Sequence, residues 1–196
     1  MARIAYVTSE TGPEEVKQEF ARLRAARGSG PGHLYELLAH SPKLMQRWGA
    51  FAETLRGFDQ DGSVSLDARN RELAIIQVAR CSGANYEWAA HLPIARREGV
   101  SDEQVQALLR DDPGPFSPAD RALLAYAAES TRHVQVSNST FSALRQHFDD
   151  RRILELAITV GFYNCVARVL EGLAIDLEPG MQPIPTAVTP SPAPPP

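Results

Sequence analysis

The sequence has few cysteines, little net charge and no obvious basic surface. Its 196 residues include two cysteines, Cys81 and Cys165, which lie far apart and form no CxxC pair. Two isolated cysteines exclude a disulfide-stapled scaffold. The net charge is −4 and the arginines are scattered among carboxylates. The chain therefore has no basic stripe for nucleic acid and no net attraction to an anionic membrane.

Long apolar runs and targeting signals are also missing. No apolar stretch approaches the roughly 20 residues that a membrane-spanning helix needs. The opening MARIAYVTSETGPEE lacks the basic and then apolar regions of a secretory signal peptide. We therefore expect a cytoplasmic protein, and its length is sufficient for one domain with a buried core.

The apolar residues recur with helical periodicity, and no segment alternates as a β-strand does. This pattern predicts a single all-α domain of about seven or eight helices. Asp67, Ser101 and Ser117 each precede a helical pattern as an N-cap residue, and a capping box is predicted at Ser101. The stretch 73–79 is apolar nearly all round, which indicates a central, buried helix.

Composition divides the chain into three parts. Residues 1–41 are predicted to form an N-terminal helical extension, and residues 42–180 the main domain. Residues 181–196 are Pro-rich and end in TAVTPSPAPPP. Such a segment buries too little apolar surface to order itself, so we expect a disordered tail.

The segment GANYEWAAHLPIARREG (83–99) carries Glu87 and His91 four residues apart. At that spacing the two side chains share one helix face. A carboxylate beside an imidazole can fix its tautomer, and a partly buried carboxylate can acquire a pKa useful for proton transfer. We predict that Glu87 orients or recharges His91 and that Glu72 completes a relay. The alternatives are an ordinary surface ion pair and, for Glu72, a favourable position in the first helical turn.

Two carboxylates and a histidine also resemble a facial ligand set for a divalent ion. No HxxE or HxH spacing supports the hypothesis of a metal site. No metal site is therefore predicted.

The segment RELAIIQVARCSGANYEWAAHLPIARREGVSDEQVQAL (71–108) resembles the carboxymuconolactone decarboxylase family, which belongs to the AhpD-like superfamily. The family pattern has a Glu at the start of a central helix, then a CxxC or its replacement, then a His four residues later. These positions are occupied by Glu72, by Ala84 and Glu87, and by His91.

FSPADRALLAYAAE and VGFYNCVARVL also resemble family segments, so the resemblance extends over about residues 42–178. It implies the AhpD-like helical bundle for the main domain and a homo-oligomer, either a trimer or a hexamer of trimers. In the peroxidase branch, the matching Glu and His relay protons to the two thiols. Because Ala84 and Glu87 replace those thiols, AhpD-like peroxidase activity is the least expected function.

The resulting hypothesis is a cofactor-free acid–base enzyme of the lyase type, acting on a small lactone acid or enolisable carbonyl compound. Decarboxylation, isomerisation, dehydration and cyclisation all remain open. The predicted catalytic residues are Glu72, Glu87 and His91, and the predicted substrate-lining residues are Tyr86, Trp88, Tyr163, Asn164 and Arg168. No nucleic-acid or membrane partner is expected. A non-catalytic oligomeric member of the superfamily is the alternative.

Overall fold

The computed structural model describes residues 1–28, 30–57 and 64–185. Within these ranges the chain forms nine α-helices and no β-strand, which confirms the all-α prediction. The helices are α1 (Glu14–Arg27), α2 (His33–Leu38), α3 (Pro42–Leu55), α4 (Ala68–Ser82), α5 (Asn85–Arg97), α6 (Asp102–Leu109), α7 (Pro118–His133), α8 (Asn138–Arg145) and α9 (Asp150–Gly172). The sequence predicted seven or eight helices, and the described ranges contain nine. Three of the nine are short: α2 has six residues, and α6 and α8 have eight each.

Helix α4 is the centre of the bundle and packs against α5, α7 and α9. All nine residues from Arg71 to Ala79 are buried, as the apolar sequence predicted. The Asp67 side chain caps the helix by accepting the Asn70 N–H at 2.9 Å. Gly83 ends it with a left-handed φ of 72°, a conformation that glycine adopts without steric cost. This arrangement carries Glu72 into the interior.

Local capping signals also define two neighbouring helices. Ser101 and Gln104 form the predicted capping box at the start of α6. Ser117 and Asp120 form a second one at the start of α7. Asp120 also accepts two hydrogen bonds from Arg69 near the start of α4, at 2.7 and 3.2 Å. The caps therefore fix both where these helices begin and how α7 meets α4.

The N-terminal extension packs on the main domain through its own apolar cluster. Val16, Phe20 and Leu23 of α1 are buried together with side chains of α2 and α3, including Met45. The Arg3 N–H donates to the carbonyl of Leu173 at 2.8 Å. The extension is therefore fastened to the end of α9 and brings α2 beside α5.

The segment that follows α9 is partly ordered against the core. Met181 and Ile184 pack on the main apolar cluster, and the Ile184 N–H donates to Asn85 Oδ1 at 3.0 Å. Residues 181–185 therefore differ from the predicted disordered tail, because these two apolar side chains find a surface to bury. Residues 186–196 of that predicted tail lie outside the described residues.

Helix α9 has 23 residues and is long and apolar enough to cross a membrane by length and composition. It is also a core element, because Leu156, Val160 and Leu170 are almost fully buried and the helix packs on α4, α5 and α7. Burial inside a bundle explains its apolar composition without a membrane. The bundle resembles a soluble-protein fold, and the cytoplasmic location stays a prediction.

Candidate active site

A cavity of about 160 Å³ lies among α2, α3, α5 and α9. Its polar lining includes Arg56 from the end of α3, Glu87 and His91 from α5, and Tyr163 from α9. Leucine, valine and aromatic side chains form the rest of the wall. The Trp48 and Phe162 rings, for example, lie 5.1 Å apart between centroids. The cavity therefore combines a few ionisable groups with a largely apolar surface, as ligand sites commonly do.

Glu72 and His91 form the central contact of the site. Glu72 Oε2 lies 2.7 Å from His91 Nδ1 and joins α4 to α5. Glu72 is fully buried, and Arg71 Nε lies 3.7 Å from its other oxygen. Burial by itself would raise the pKa of Glu72, but the charge and hydrogen bond of His91, with Arg56 and Arg71, bring that pKa below its ordinary value. Because Glu72 occupies Nδ1, Nε2 is the ring nitrogen left for a ligand.

Glu87 has the opposite environment. It is 1% exposed, and neither carboxyl oxygen has a hydrogen-bond partner among the described residues. Removal from water raises the pKa of Glu87 well above its ordinary value, and the nearby charge of Glu171 adds to the rise. Glu87 therefore holds its proton to a higher pH than an exposed glutamate does, which suits it to donate a proton into the cavity.

Glu87 does not orient His91 through a hydrogen bond, because Glu72 supplies that bond. That Glu87 recharges His91 stays a prediction. Glu87 and His91 do share the cavity-facing side of α5, as their spacing indicated. The two carboxyl groups thus have opposite environments. Contact with His91 favours the ionised form of Glu72, and burial in the cavity wall favours the protonated form of Glu87.

Two tyrosines complete the polar part of the wall. The Tyr163 ring meets the His91 ring edge-on, with 4.9 Å between centroids. Burial raises the pKa of Tyr163, so its hydroxyl stays protonated. The Tyr86 hydroxyl donates to the Glu178 carboxylate, which also accepts the His33 N–H at 3.0 Å. Glu178 thereby ties α5 to the start of α2 at the edge of the cavity.

Residues 42–129 match the carboxymuconolactone decarboxylase family. This match supports the assignment of residues 42–129 to the carboxymuconolactone decarboxylase/AhpD-like superfamily. No curated protein sequence is significantly similar to the chain.

Several solved structures share this fold. An uncharacterized peroxidase-related protein from Silicibacter sp. TM1040 is 21% identical with a TM-score of 0.77, covering 92% of this chain and 93% of its own. An AhpD-core, peroxidase-related protein from Ralstonia eutropha JMP134 is 20% identical with a TM-score of 0.76, covering 91% and 93%. A variant of the debrominase Bmp8 in complex with 2,3,4-tribromopyrrole is 16% identical with a TM-score of 0.75, covering 91% and 95%.

Three side chains predicted to line the site lie away from the cavity. Trp88 is 1% exposed and packs in the main apolar cluster instead. Asn164 and Arg168 lie on a groove beside α7, where Asn164 Nδ2 donates to Thr131 Oγ1 at 2.9 Å. Each residue turns a helix by about 100°, so Asn164 and Arg168 share a face that differs from that of Tyr163.

Arg56 is the functional residue that the sequence predictions missed. Trp48, Ala52 and Arg56 follow one another at four-residue steps on α3 and all line the cavity. That spacing places them on one helix face, and this was the available signal. Arg56 supplies the cavity's positive charge and affects the pKa of both Glu72 and Tyr163.

Neither cysteine of this protein lies at the cavity. Cys81 is half-buried and Cys165 is exposed; both are free, and neither lines the cavity. Burial raises the pKa of the Cys81 thiol, which disfavours the reactive thiolate. In the described parts of the chain, no group of three or more His, Cys, Asp or Glu side chains is arranged around a common metal position.

Proposed function

We propose that this protein is a cofactor-free acid–base enzyme that acts on a small carboxylate-bearing lactone or enolisable carbonyl compound. The observation that carries the proposal is the contrast between two carboxyl groups at one site: Glu87 lines the cavity, and Glu72 lies behind His91 and contacts its Nδ1. The pKa of Glu72 is lowered beside His91, and the pKa of Glu87 is raised by burial. Two carboxyl groups whose pKa values are driven apart are the usual arrangement of an acid and a charged support.

The geometry supports one proton donor and one exchangeable imidazole nitrogen. The Glu72 carboxylate holds Nδ1 and balances the charge that the ring gains when Nε2 is protonated. Glu87 brings its own proton to the same cavity. General acid–base groups of this kind typically contribute about 10²–10⁴-fold to a rate.

The lining also favours a particular substrate class. Arg56 offers a guanidinium to a carboxylate or to a developing enolate oxygen. Trp48, Phe162 and Tyr163 offer flat apolar surface to the body of the molecule. A small unsaturated or cyclic acid satisfies both parts of this surface.

In the decarboxylation reaction, the bond between the substrate carbon and its leaving carboxylate breaks and CO2 departs. The bonding electrons move into the conjugated carbonyl group and form an enolate. Arg56 and the protonated Nε2 of His91 stabilise the enolate oxygen. Glu87 then transfers its proton to the enolate carbon and regains one from water before the next cycle. In an isomerisation, neutral His91 would instead remove a proton from carbon while Glu87 supplied one elsewhere.

The test is turnover of 4-carboxymuconolactone and a panel of related lactone and β-keto acids in deuterated water. NMR would follow both loss of the carboxyl carbon and deuterium incorporation into the product. We expect Glu87→Gln and His91→Ala to reduce the rate at least 100-fold. Arg168→Gln is the control, because Arg168 is exposed and lies outside the cavity.

Wild-type turnover that survives both cavity substitutions would contradict the proposal. So would a panel in which no compound reacts or exchanges protons. Circular dichroism of each variant shows whether the helices remain folded. Loss of activity in a folded variant then reports on the chemistry.

We further propose that the protein acts as a homo-oligomer, a trimer or a hexamer of trimers. Leu44 and Phe51 of α3, with Leu154 and Ile158 of α9, are large apolar side chains that the single chain leaves exposed. Burial of such a surface between copies is favourable. Light scattering after size exclusion would measure the mass, and a monomer at micromolar concentration would refute this part.

A further inference from the structure

A second cavity, of about 250 Å³, lies between α4, the end of α6 and α7. It shares no lining residue with the candidate active site. The floor consists of buried apolar side chains, including Leu108, Phe116 and Leu124. Three arginines, Arg80, Arg121 and Arg132, also line it. We propose that this cavity binds a small organic anion that has an apolar body.

Arg80 is held in place before any ligand arrives. Its side chain is only 11% exposed and pairs with Asp111 at 2.5 Å. Its Nε donates to Gln77 Oε1 at 3.0 Å, and Gln77 Nε2 donates to the carbonyl of Leu124 at 3.3 Å. A guanidinium has five N–H donors, more than these contacts and its hydrogen bond to the Cys81 thiol use. The guanidinium is thus oriented on two sides and keeps a donor for a ligand.

Arg132 provides the charge that the protein leaves uncompensated. Among the described residues it forms no hydrogen bond and no ion pair. It is nevertheless close enough to lower the pKa of Asp111. Two carboxylates line the cavity as well, but Asp111 is paired with Arg80 and Asp112 accepts the Gly114 N–H at 2.9 Å. Three arginines and two aspartates line the cavity, so its lining has a net positive charge.

Arg121 lies on the other side of the same opening. Its Nη1 donates to the carbonyl of Phe116 at 2.7 Å, which leaves its remaining N–H groups available. Guanidinium groups bind carboxylates and phosphates strongly because they present several donors in one plane. An apolar floor beneath such donors selects an anion that carries an aromatic or branched aliphatic group. This inference does not depend on the proposed catalytic function.

The test uses 4-fluorobenzoate as the probe, titrated with the full chain and followed by ¹⁹F NMR. Arg132→Gln removes the uncompensated charge, and Ala128→Leu fills the cavity without changing charge. Each should weaken binding at least tenfold, a change of about 1.4 kcal/mol. Arg145→Gln is the matched control, because Arg145 is 57% exposed and pairs with Asp150 on the surface. The neutral analogue 4-fluorobenzyl alcohol should not compete with the probe.

Arg56→Gln separates this cavity from the candidate active site. Saturable binding that falls in Arg132→Gln or Ala128→Leu but persists in Arg56→Gln supports the proposal. Binding that is unchanged in both cavity variants, or lost only in Arg56→Gln, overturns it. Absence of saturable binding by the wild type also overturns it. Arg132 is exposed, so its variant should stay folded even if Ala128→Leu does not.

Discussion

Glu87→Gln should make the protein more resistant to unfolding at neutral pH, although it removes a proposed catalytic acid. Glu87 is 1% exposed, and neither of its oxygens has a hydrogen-bond partner among residues 1–28, 30–57 and 64–185. The native state therefore holds the carboxyl proton to a higher pH than the unfolded chain, which ionises near the ordinary pKa of 4.5. Between 4.5 and the raised native pKa, the native state holds one proton more than the unfolded state.

Because the native state binds this extra proton, the free energy of unfolding depends on pH. The contribution of Glu87 to stability is fully present below the unfolded pKa and is lost as the pH rises toward the native pKa. The loss is about 1.4 kcal/mol per pH unit for a single proton. The wild type should therefore lose stability progressively through this group from pH 5 upward, until the pH reaches the native pKa of Glu87. Glutamine has a similar shape and no titrating proton, so Glu87→Gln should not show that loss.

The assay is urea unfolding of wild type and Glu87→Gln at pH 5, 6, 7 and 8, followed by circular dichroism. The difference between their free energies of unfolding should move in favour of the variant as the pH rises. All other titrating groups are common to both proteins and cancel in the difference. A difference independent of pH would refute the inference that burial raises the pKa of Glu87, and with it the role of this residue as the acid.

Three further substitutions test separate parts of the site. His91→Ala leaves the Glu72 carboxylate buried without its partner and should lower the free energy of unfolding by about 3 kcal/mol, measured in urea, besides abolishing turnover. Arg56→Gln should raise KM for a carboxylate substrate at least tenfold and change KM for its methyl ester little, measured by steady-state kinetics. Gly32→Ala places a Cβ 2.8 Å from Glu178 Oε1 at a φ of 77° and should cost about 1–2 kcal/mol, measured as a lower Tm.

The elements of the fold that depend on local signals could be predicted from the sequence. The caps at Asp67, Ser101 and Ser117 each depend on a side chain and an N–H three residues away. The burial of residues 73–79 could be predicted because this stretch is apolar nearly all round. Such features need no knowledge of distant contacts, and the structure has them where the sequence indicated.

The site itself depends on rotations and contacts between helices, and these are harder to predict. Glu72 and His91 lie 19 residues apart, so only the packing of α4 on α5 determines that they meet. Helix α9 is apolar on several sides, and its sequence therefore does not show which face meets the cavity. Tyr163, Asn164 and Arg168 were all predicted to line the site, and only the orientation of the helix separates Tyr163 from the other two.

The site also indicates how one helical framework can support different chemistry. The resemblance places Glu72 and His91 at the relay positions of the thiol-containing branch, and the structure keeps them in hydrogen-bond contact. Glu87 stands where that branch has its second cysteine. A thiol at that position would need a depressed pKa to attack as a thiolate, whereas burial of a carboxyl group raises its pKa and favours a proton donor. This buried position therefore suits proton transfer when a carboxyl group replaces the thiol. Proton transfer also accounts for the contact between His91 and Glu72 without redox chemistry.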